Sequence, residues 1–219
     1  MNTYVSEYQL RQEMIRVTRI VANQGLIRSS DGNLSVRLDE THFLMTPSGL
    51  YKMSMEPDDP IVVNQEGEIL IGKPGLKSTS EINMHLEAFR QRPDINAVLH
   101  AHPPYATALT IAGLPFPTDY LPEVLVALGD VPVAQYGTPG TLALVESIRE
   151  LIKDHNAVIL SHHGSITVGN NLEEALVALE RLEHAAYTYY LAHNLSTPIP
   201  LPDKELNHLR DIGNQIRSQ

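Results

Sequence analysis

Two histidines stand two residues apart in Leu99-His100-Ala101-His102-Pro103, at the end of a run that reads as a buried strand. Side chains at i and i+2 of a strand share a face, so both imidazoles can reach one ion. Imidazole suits zinc and similar borderline metals. A structural or surface pair is the alternative, and spacing alone does not separate the two. A second pair occurs in Ser161-His162-His163-Gly164, after the strand-like run Ala157–Leu160. Adjacent strand residues point to opposite faces, so one of these two rings is expected to face the ion. A polar turn with two solvated rings is the alternative here. Gly164 would let backbone approach a crowded site closely.

Three more segments carry polar groups at informative spacing. Lys77-Ser78-Thr79-Ser80-Glu81 precedes a helical pattern, so hydroxyls and free backbone N–H groups converge at a helix N-terminus, an arrangement that binds phosphate. Glu81 could equally complement the helix dipole and do nothing else. Ser30-Asp31-Gly32-Asn33-Leu34-Ser35 and Thr46-Pro47-Ser48-Gly49 read as ordinary β-turns that can also present donors to an anion.

These segments need a scaffold, and the apolar pattern predicts one. Leu10, Met14, Val17, Ile20 and Val21 recur at helical spacing over residues ~5–24, and Gly25 sits where that helix would stop. Short strand-like runs follow at residues 34–38, 42–46, 61–63 and 68–71, separated by Asp31-Gly32, Pro47-Ser48-Gly49 and Glu66-Gly67. A helix opened by Ser/Thr and closed before Pro93 is expected over residues ~80–92, a strand at 95–99, and a helix opened by Pro103-Pro104. A short helix near Pro122–Leu128 and a strand at 131–134 come next. Thr138-Pro139 reads as an N-cap with proline at the first helical position, leading a helix to about Lys153. Strands at 157–160 and 165–168, a long helix from Leu172 to about Ala192, and a last helix at roughly 204–216 complete the pattern. No linker, repeat or charge block divides the chain, so residues 1–219 read as one domain. Mixed strands and helices without regular alternation predict an α/β sheet with helical layers. Neither G-x-G-x-x-G nor a P-loop is present.

Composition narrows the function. Lys plus Arg number 16 against 26 Asp plus Glu, a formal net charge of −10, which argues against a nucleic-acid partner. The chain has no cysteine, so disulfides, thiolate metal sites and a cysteine nucleophile are excluded, and any metal must use histidine and carboxylate. No apolar run approaches the ~18–20 residues of a membrane span, and no signal-peptide pattern opens the chain. A cytoplasmic protein without a membrane partner is the expectation.

The five motifs in this order, G-N-x-S, T-P-S-G, S-E, H-A-H-P and H-H-G, resemble the class II aldolase/adducin family over residues ~5–195. The resemblance implies a central, mostly antiparallel sheet flanked by helical layers, and a homotetramer. It implies that His100, His102 and His163 hold Zn2+, with Mn2+ or Co2+ as alternatives, and that Glu81 is both a fourth ligand and the catalytic acid/base. Asn33, Ser48, Gly49, Thr79 and Ser80 match the family's substrate-phosphate pocket, with Ser30 a lesser candidate. His162 does not match the ligand position, and His85 could sit behind Glu81. The activity implied is reversible cleavage of a ketose 1-phosphate, such as L-fuculose 1-phosphate, to dihydroxyacetone phosphate and an aldehyde. Decarboxylation, 4-epimerisation or dehydration of a sugar or sugar-acid phosphate would use the same site. A non-catalytic adducin-like module is a third reading, and the full set of ligands argues against it. Tyr120 and Glu123 fall where the family places further catalytic groups. The family's C-terminal tyrosine has no counterpart, because the last tyrosine is Tyr190. The tail from Lys204 onward could complete a neighbouring copy's pocket.

Overall fold

The computed structural model describes residues 6–217. Helix α1 (Glu7–Asn23) opens with a reciprocal capping box: Gln9 N–H donates to the Ser6 hydroxyl, and Ser6 N–H donates to the Gln9 side chain. It ends where Gly25 takes φ 75°, a conformation that only glycine adopts without cost. Residue 5, where helical spacing would begin, lies outside the described residues.

Eight strands follow in chain order: β1 (Asn33–Arg37), β2 (His42–Met45), β3 (Ile61–Asn64), β4 (Ile69–Ile71), β5 (Ala97–Ala101), β6 (Val133–Ala134), β7 (Ala157–Leu160) and β8 (Gly164–Gly169). They form one sheet in the order β4-β3-β2-β1-β5-β8-β7-β6. Neighbours are antiparallel except β6 and β7. The expected mostly antiparallel α/β architecture is therefore what the chain forms.

Helices cover both faces, as the alternation along β5 requires. Ala97, Leu99 and Ala101 meet α1 and α6 (Leu172–Leu195), where Met14, Val17, Val21, Leu176 and Leu179 are buried. Val98 faces the other way, into a core with Met84, Leu86 and Phe89 of α2 (Ile82–Gln91) and Leu144 and Ile148 of α5 (Leu142–Arg149). His100 follows Val98 on that second face. Helices α3 (Pro104–Ile111) and α4 (Pro122–Leu128) pack with α6 over Ala157 and Ile159 of β7. Helix α7 (Asp203–Arg217) lies on α4, where Arg217 donates to the Leu125 and Val126 carbonyls at the end of that helix. No helix among the described residues is long and apolar enough to cross a membrane.

Three local expectations differ from the structure. Strand β5 runs on to Ala101, so His100 lies within it rather than at its end. The helix expected from Pro139 to Lys153 starts only at Leu142, because Gly140 takes φ 76° and turns the chain between Thr138 and Thr141. It stops at Arg149, and a separate 3₁₀ turn covers Leu151–Lys153. Helix α2 begins with Glu81 itself as N-cap, with no side-chain cap from Ser or Thr.

The contact of β5 with β8 is close enough to exclude a methyl group. A Cβ on Gly164 would collide with the Ala101 carbonyl and lie 2.9 Å from His102 Cδ2. Gly164→Ala should therefore cost about 1–3 kcal/mol in urea unfolding. An unchanged unfolding midpoint would contradict this packing.

Candidate metal centre and active-site cleft

His100 sits in the middle of the sheet, with Asn33 of β1 as its partner on one side and Ile166 of β8 on the other. It has no exposed surface. Paired residues share a face, so Asn33, Ser35, Val98 and His100 all point toward α2. His102 lies just past β5, held by its N–H donating to the Leu26 carbonyl at 2.8 Å. The chain then enters α3, whose first N–H groups, of Tyr105 and Ala106, donate to the Glu183 carboxylate of α6 at 2.9 and 3.0 Å. That carboxylate replaces the cap α3 lacks in its own sequence.

His163 arrives from the turn between β7 and β8. Strand alternation does not choose between His162 and His163, because both lie in a turn and His162 takes φ 57°. The left-handed residue sends the two rings apart. His162 packs edge-on toward Tyr136, while His163 joins the cluster.

The three imidazoles pack with centroids 4.9, 4.8 and 5.0 Å apart, and one nitrogen from each lies within 4.8 Å of the others. His100 Nδ1 is 2.9 Å from the Ser165 carbonyl, which only accepts. Nδ1 therefore carries the proton, and the Nε2 lone pair faces the cluster. His102 Nε2 lies 3.0 Å from that Nε2. The Glu81 carboxylate closes the group, with Oε2 3.1 Å from His100 Nε2 and Oε1 3.3 Å from His163 Nε2. Glu81 Oε1 and His163 Nδ1 are buried and have no hydrogen-bond partner. Converging nitrogen lone pairs beside a carboxylate oxygen that no donor satisfies are the groups a borderline divalent cation binds. The residues thus fit the metal that the family resemblance implied.

Charge states agree with this. Burial lowers His102 and His163 to about 4, helped by the neighbouring imidazoles, so both rings are neutral and able to ligate at pH 7. Burial pushes the Glu81 carboxyl up. Its contact with His100, the Asn33 hydrogen bond and nearby His163 outweigh that push and hold it well below the usual carboxylate range.

Behind Glu81 runs a directed hydrogen-bond chain. Asn33 Nδ2 donates to Glu81 Oε2 and to Thr79 Oγ1, each at 3.0 Å. Its Oδ1 can only accept, so His85 Nε2 donates to it. His85 Nδ1 then accepts from the Ser35 hydroxyl at 2.6 Å. His85 is wholly buried, and burial lowers it to about 3. It lies one turn after Glu81 and fixes Asn33, and through Asn33 the carboxylate.

Glu81, His102 and His163 open onto a cleft of about 410 Å3, and Asn33, Ser48, Gly49, Thr79 and Ser80 line the same cleft, as do Ser30 and Asp31. The Ser48 N–H donates to the Lys77 carbonyl at 2.9 Å, which ties the 47–49 turn to the segment before α2. The motifs from five separate parts of the chain thus meet at one place. Within one chain Tyr120 and Glu123 do not join them. Both lie on the sheet face covered by α6. Tyr120 packs edge-on against Tyr189 in a turn pinned where Leu201 N–H donates to the Asp119 carbonyl, and Glu123 lines a different cleft with Asn170, Arg181 and Arg217. Two lining residues were not foreseen: Pro139, from the turn misread as a helix start, and Lys52. The only local signal for Lys52 is its position three residues after the T-P-S-G turn.

Residues 12–190 match the family described as Class II Aldolase and Adducin N-terminal domain. The chain belongs to that family. It is 34% identical over 201 residues to a 5-deoxy-D-ribulose 1-phosphate aldolase of Bacillus thuringiensis serovar kurstaki, covering 91% of this chain and 92% of that protein. It is 32% identical over 189 residues to a 3-oxo-tetronate 4-phosphate decarboxylase of Escherichia coli O6:H1, covering 84% of this chain and 88% of the other. A solved L-fuculose 1-phosphate aldolase superposes with a TM-score of 0.84 at 30% identity, over 96% of this chain and 98% of that one. The similar proteins support sugar-phosphate chemistry of the aldolase type, in a family that generally depends on a divalent metal.

Two outcomes are expected from this geometry. His85→Phe leaves the Asn33 Oδ1 and the Ser35 hydroxyl without their partners, so it should cost about 2–4 kcal/mol in urea unfolding. A cost below about 1 kcal/mol would show that the Ser35–His85–Asn33 chain does not form. The second concerns pH in metal-free protein. His85, His102 and His163 bind protons less readily when folded, so their full contribution is present above pH ~6.5 and is lost as pH falls toward 4 and then 3. Unfolding free energy should drop by up to about 1.4 kcal/mol per histidine per pH unit in that window. Stability that stays flat from pH 6.5 to 4.5 would contradict the burial of these rings.

Proposed function

We propose that this chain is a divalent-metal-dependent aldolase that reversibly cleaves a ketose 1-phosphate to dihydroxyacetone phosphate and an aldehyde. The observation that carries this reading is the Glu81 carboxylate. It is buried and ionised, it touches two of the three imidazoles, and its Oε1 has no donor while facing the cleft that Thr79 and Ser80 line. Zinc, or manganese or cobalt in its place, held by His100, His102 and His163, would act as a Lewis acid toward the ketose carbonyl and its neighbouring hydroxyl.

The protein's own groups do the rest. Thr79, Ser80, Asn33, Ser48 and Gly49 hold the phosphate and set the carbon chain in register, so binding energy becomes orientation. In the cleavage direction the C3–C4 bond breaks and the C4 hydroxyl gives up its proton as the aldehyde departs; Glu81, which takes up a solvent proton as substrate binds, passes that proton to C3 and returns to the carboxylate. In the reverse direction ionised Glu81 takes that proton from dihydroxyacetone phosphate. The Asn33–His85 chain keeps Oε2 fixed while Oε1 exchanges the proton. The proton at the C4 oxygen is assigned to Tyr120 or Glu123, which only a neighbouring copy in the expected homotetramer would bring to the cleft. The relatives that act on 5-deoxy-D-ribulose 1-phosphate and L-fuculose 1-phosphate support a ketose 1-phosphate as substrate. Similarity to a 3-oxo-tetronate 4-phosphate decarboxylase favours a second reading, in which Glu81 protonates the carbon left by loss of carbon dioxide.

The test is dihydroxyacetone phosphate release from a panel of ketose 1-phosphates by zinc-loaded protein. Wild type should release it, and Glu81→Gln should lose about 10²–10⁴-fold in turnover while retaining zinc. Carbon dioxide release from a 3-oxo acid phosphate without aldol cleavage would transfer the assignment to the decarboxylase. A fully active Glu81→Gln enzyme would remove Glu81 as acid/base in either reading.

A further inference from the structure

We propose that Lys52 supplies the positive charge of the phosphate subsite in this cleft. The inference rests on the sugar-phosphate reading above and adds to it a residue that no sequence motif marked.

Lys52 is 2% exposed, so nearly all of its side chain is removed from water. Its Nζ carries three donors, and the structure gives it one hydrogen bond, to the Ser30 carbonyl at 3.0 Å. Among the described residues no carboxylate forms an ion pair with it. An ammonium buried without an anion is costly, and such a group is retained where a ligand completes it. Burial lowers Lys52 to about 8, against the pull of nearby Asp31, which leaves it mostly protonated at pH 7.

Its place in the fold directs that charge to the cleft. The 3₁₀ turn Lys52–Ser54 follows the Ser48-Gly49 turn directly, and the Lys52 backbone N–H donates to the Ser29 carbonyl at 3.0 Å. Lys52 thus joins two walls of the cleft, the 29–33 loop and the 47–49 turn, and itself lines the space between them. The other groups around that space that would hold the phosphate are neutral: hydroxyls of Ser48, Thr79 and Ser80, the Asn33 amide, and backbone N–H groups. Glu81 and Asp31 add negative charge to the same lining. A phosphate dianion placed among neutral donors in a chain of net charge −10 needs a local cation apart from the metal, and Lys52 is the one the fold buries there.

A purely structural lysine would only hold the Ser29-Ser30 loop in place, and the experiment separates the two roles. Inorganic phosphate is titrated calorimetrically at pH 7 into zinc-loaded wild type, Lys52→Gln, Lys52→Met and Lys52→Arg, with zinc content and thermal midpoint measured on each. Gln keeps a donor for the Ser30 carbonyl and removes the charge, while Met removes both. The expected result is that Gln and Met each bind phosphate at least ~10-fold more weakly than wild type at unchanged zinc content, while Arg stays closer to wild type. If Lys52→Met does not fold, the comparison of Gln with wild type decides alone. Phosphate binding equal in Gln and wild type would overturn the assignment of Lys52 and leave the aldolase reading untouched, since turnover of ketose 1-phosphates is measured separately. Wild type that turns over substrate but does not bind inorganic phosphate would overturn the proposal as well.

Discussion

A carboxylate with 7% of its surface exposed keeps its charge only where hydrogen-bond donors or a cation stand in for water, and Glu81 is such a carboxylate. One of its oxygens is held by Asn33 and lies against His100; the other lies against His163. Each of these contacts comes from a different element: β1, β5 and the β7–β8 turn. The register of the sheet centre, with Asn33 opposite His100 and His100 opposite Ile166, is what brings them within reach. A slip of one residue in either ladder would turn His100 toward α1 and α6 and leave Glu81 alone in an apolar core. The aliphatic cores on both faces serve this constraint by fixing which residues of β1, β5 and β8 point toward α2.

Much of the site was legible from local pattern. The i, i+2 spacing of His100 and His102 survives the shift of β5 by two residues, because the spacing and not the strand boundary decides a shared face. The helix N-terminus after Thr79 and Ser80 was legible as a cluster of donors, and the structure places Glu81 as its N-cap. The choice of His163 over His162 came from family resemblance; its physical cause is the left-handed backbone of His162, which strand alternation does not encode. What was not legible depends on contacts distant in sequence. Whether α4 packs on the α2 face or the α6 face decides if Tyr120 and Glu123 can meet Glu81, and no periodicity in 114–137 reveals it. The burial of Lys52 likewise follows from the packing of its turn between α1 and the 29–33 loop.

Electrostatics in the cleft run against those of the whole molecule. A net charge of −10 gives no long-range attraction for a phosphorylated substrate, so recognition has to be local. The cleft answers with neutral imidazoles ready to ligate, a helix N-terminus, and a buried ammonium. His85 acts one layer further back, giving Asn33 a single orientation so that its amide nitrogen faces Glu81. Family membership and this geometry agree on metal-assisted carbon–carbon chemistry, while the named relatives divide between aldol cleavage and decarboxylation. Both reactions need a carbon to be protonated, the role proposed for Glu81.

The central claim is that His100, His102 and His163 form one metal centre. The most direct measurement is zinc-edge X-ray absorption on the zinc-loaded protein. The account predicts scattering from three imidazoles with Zn–N distances of about 2.0–2.1 Å, completed by oxygen. It also predicts that this signature is lost in His100→Ala. Zinc bound without imidazole scattering, or an identical spectrum from the His100→Ala protein, would contradict it.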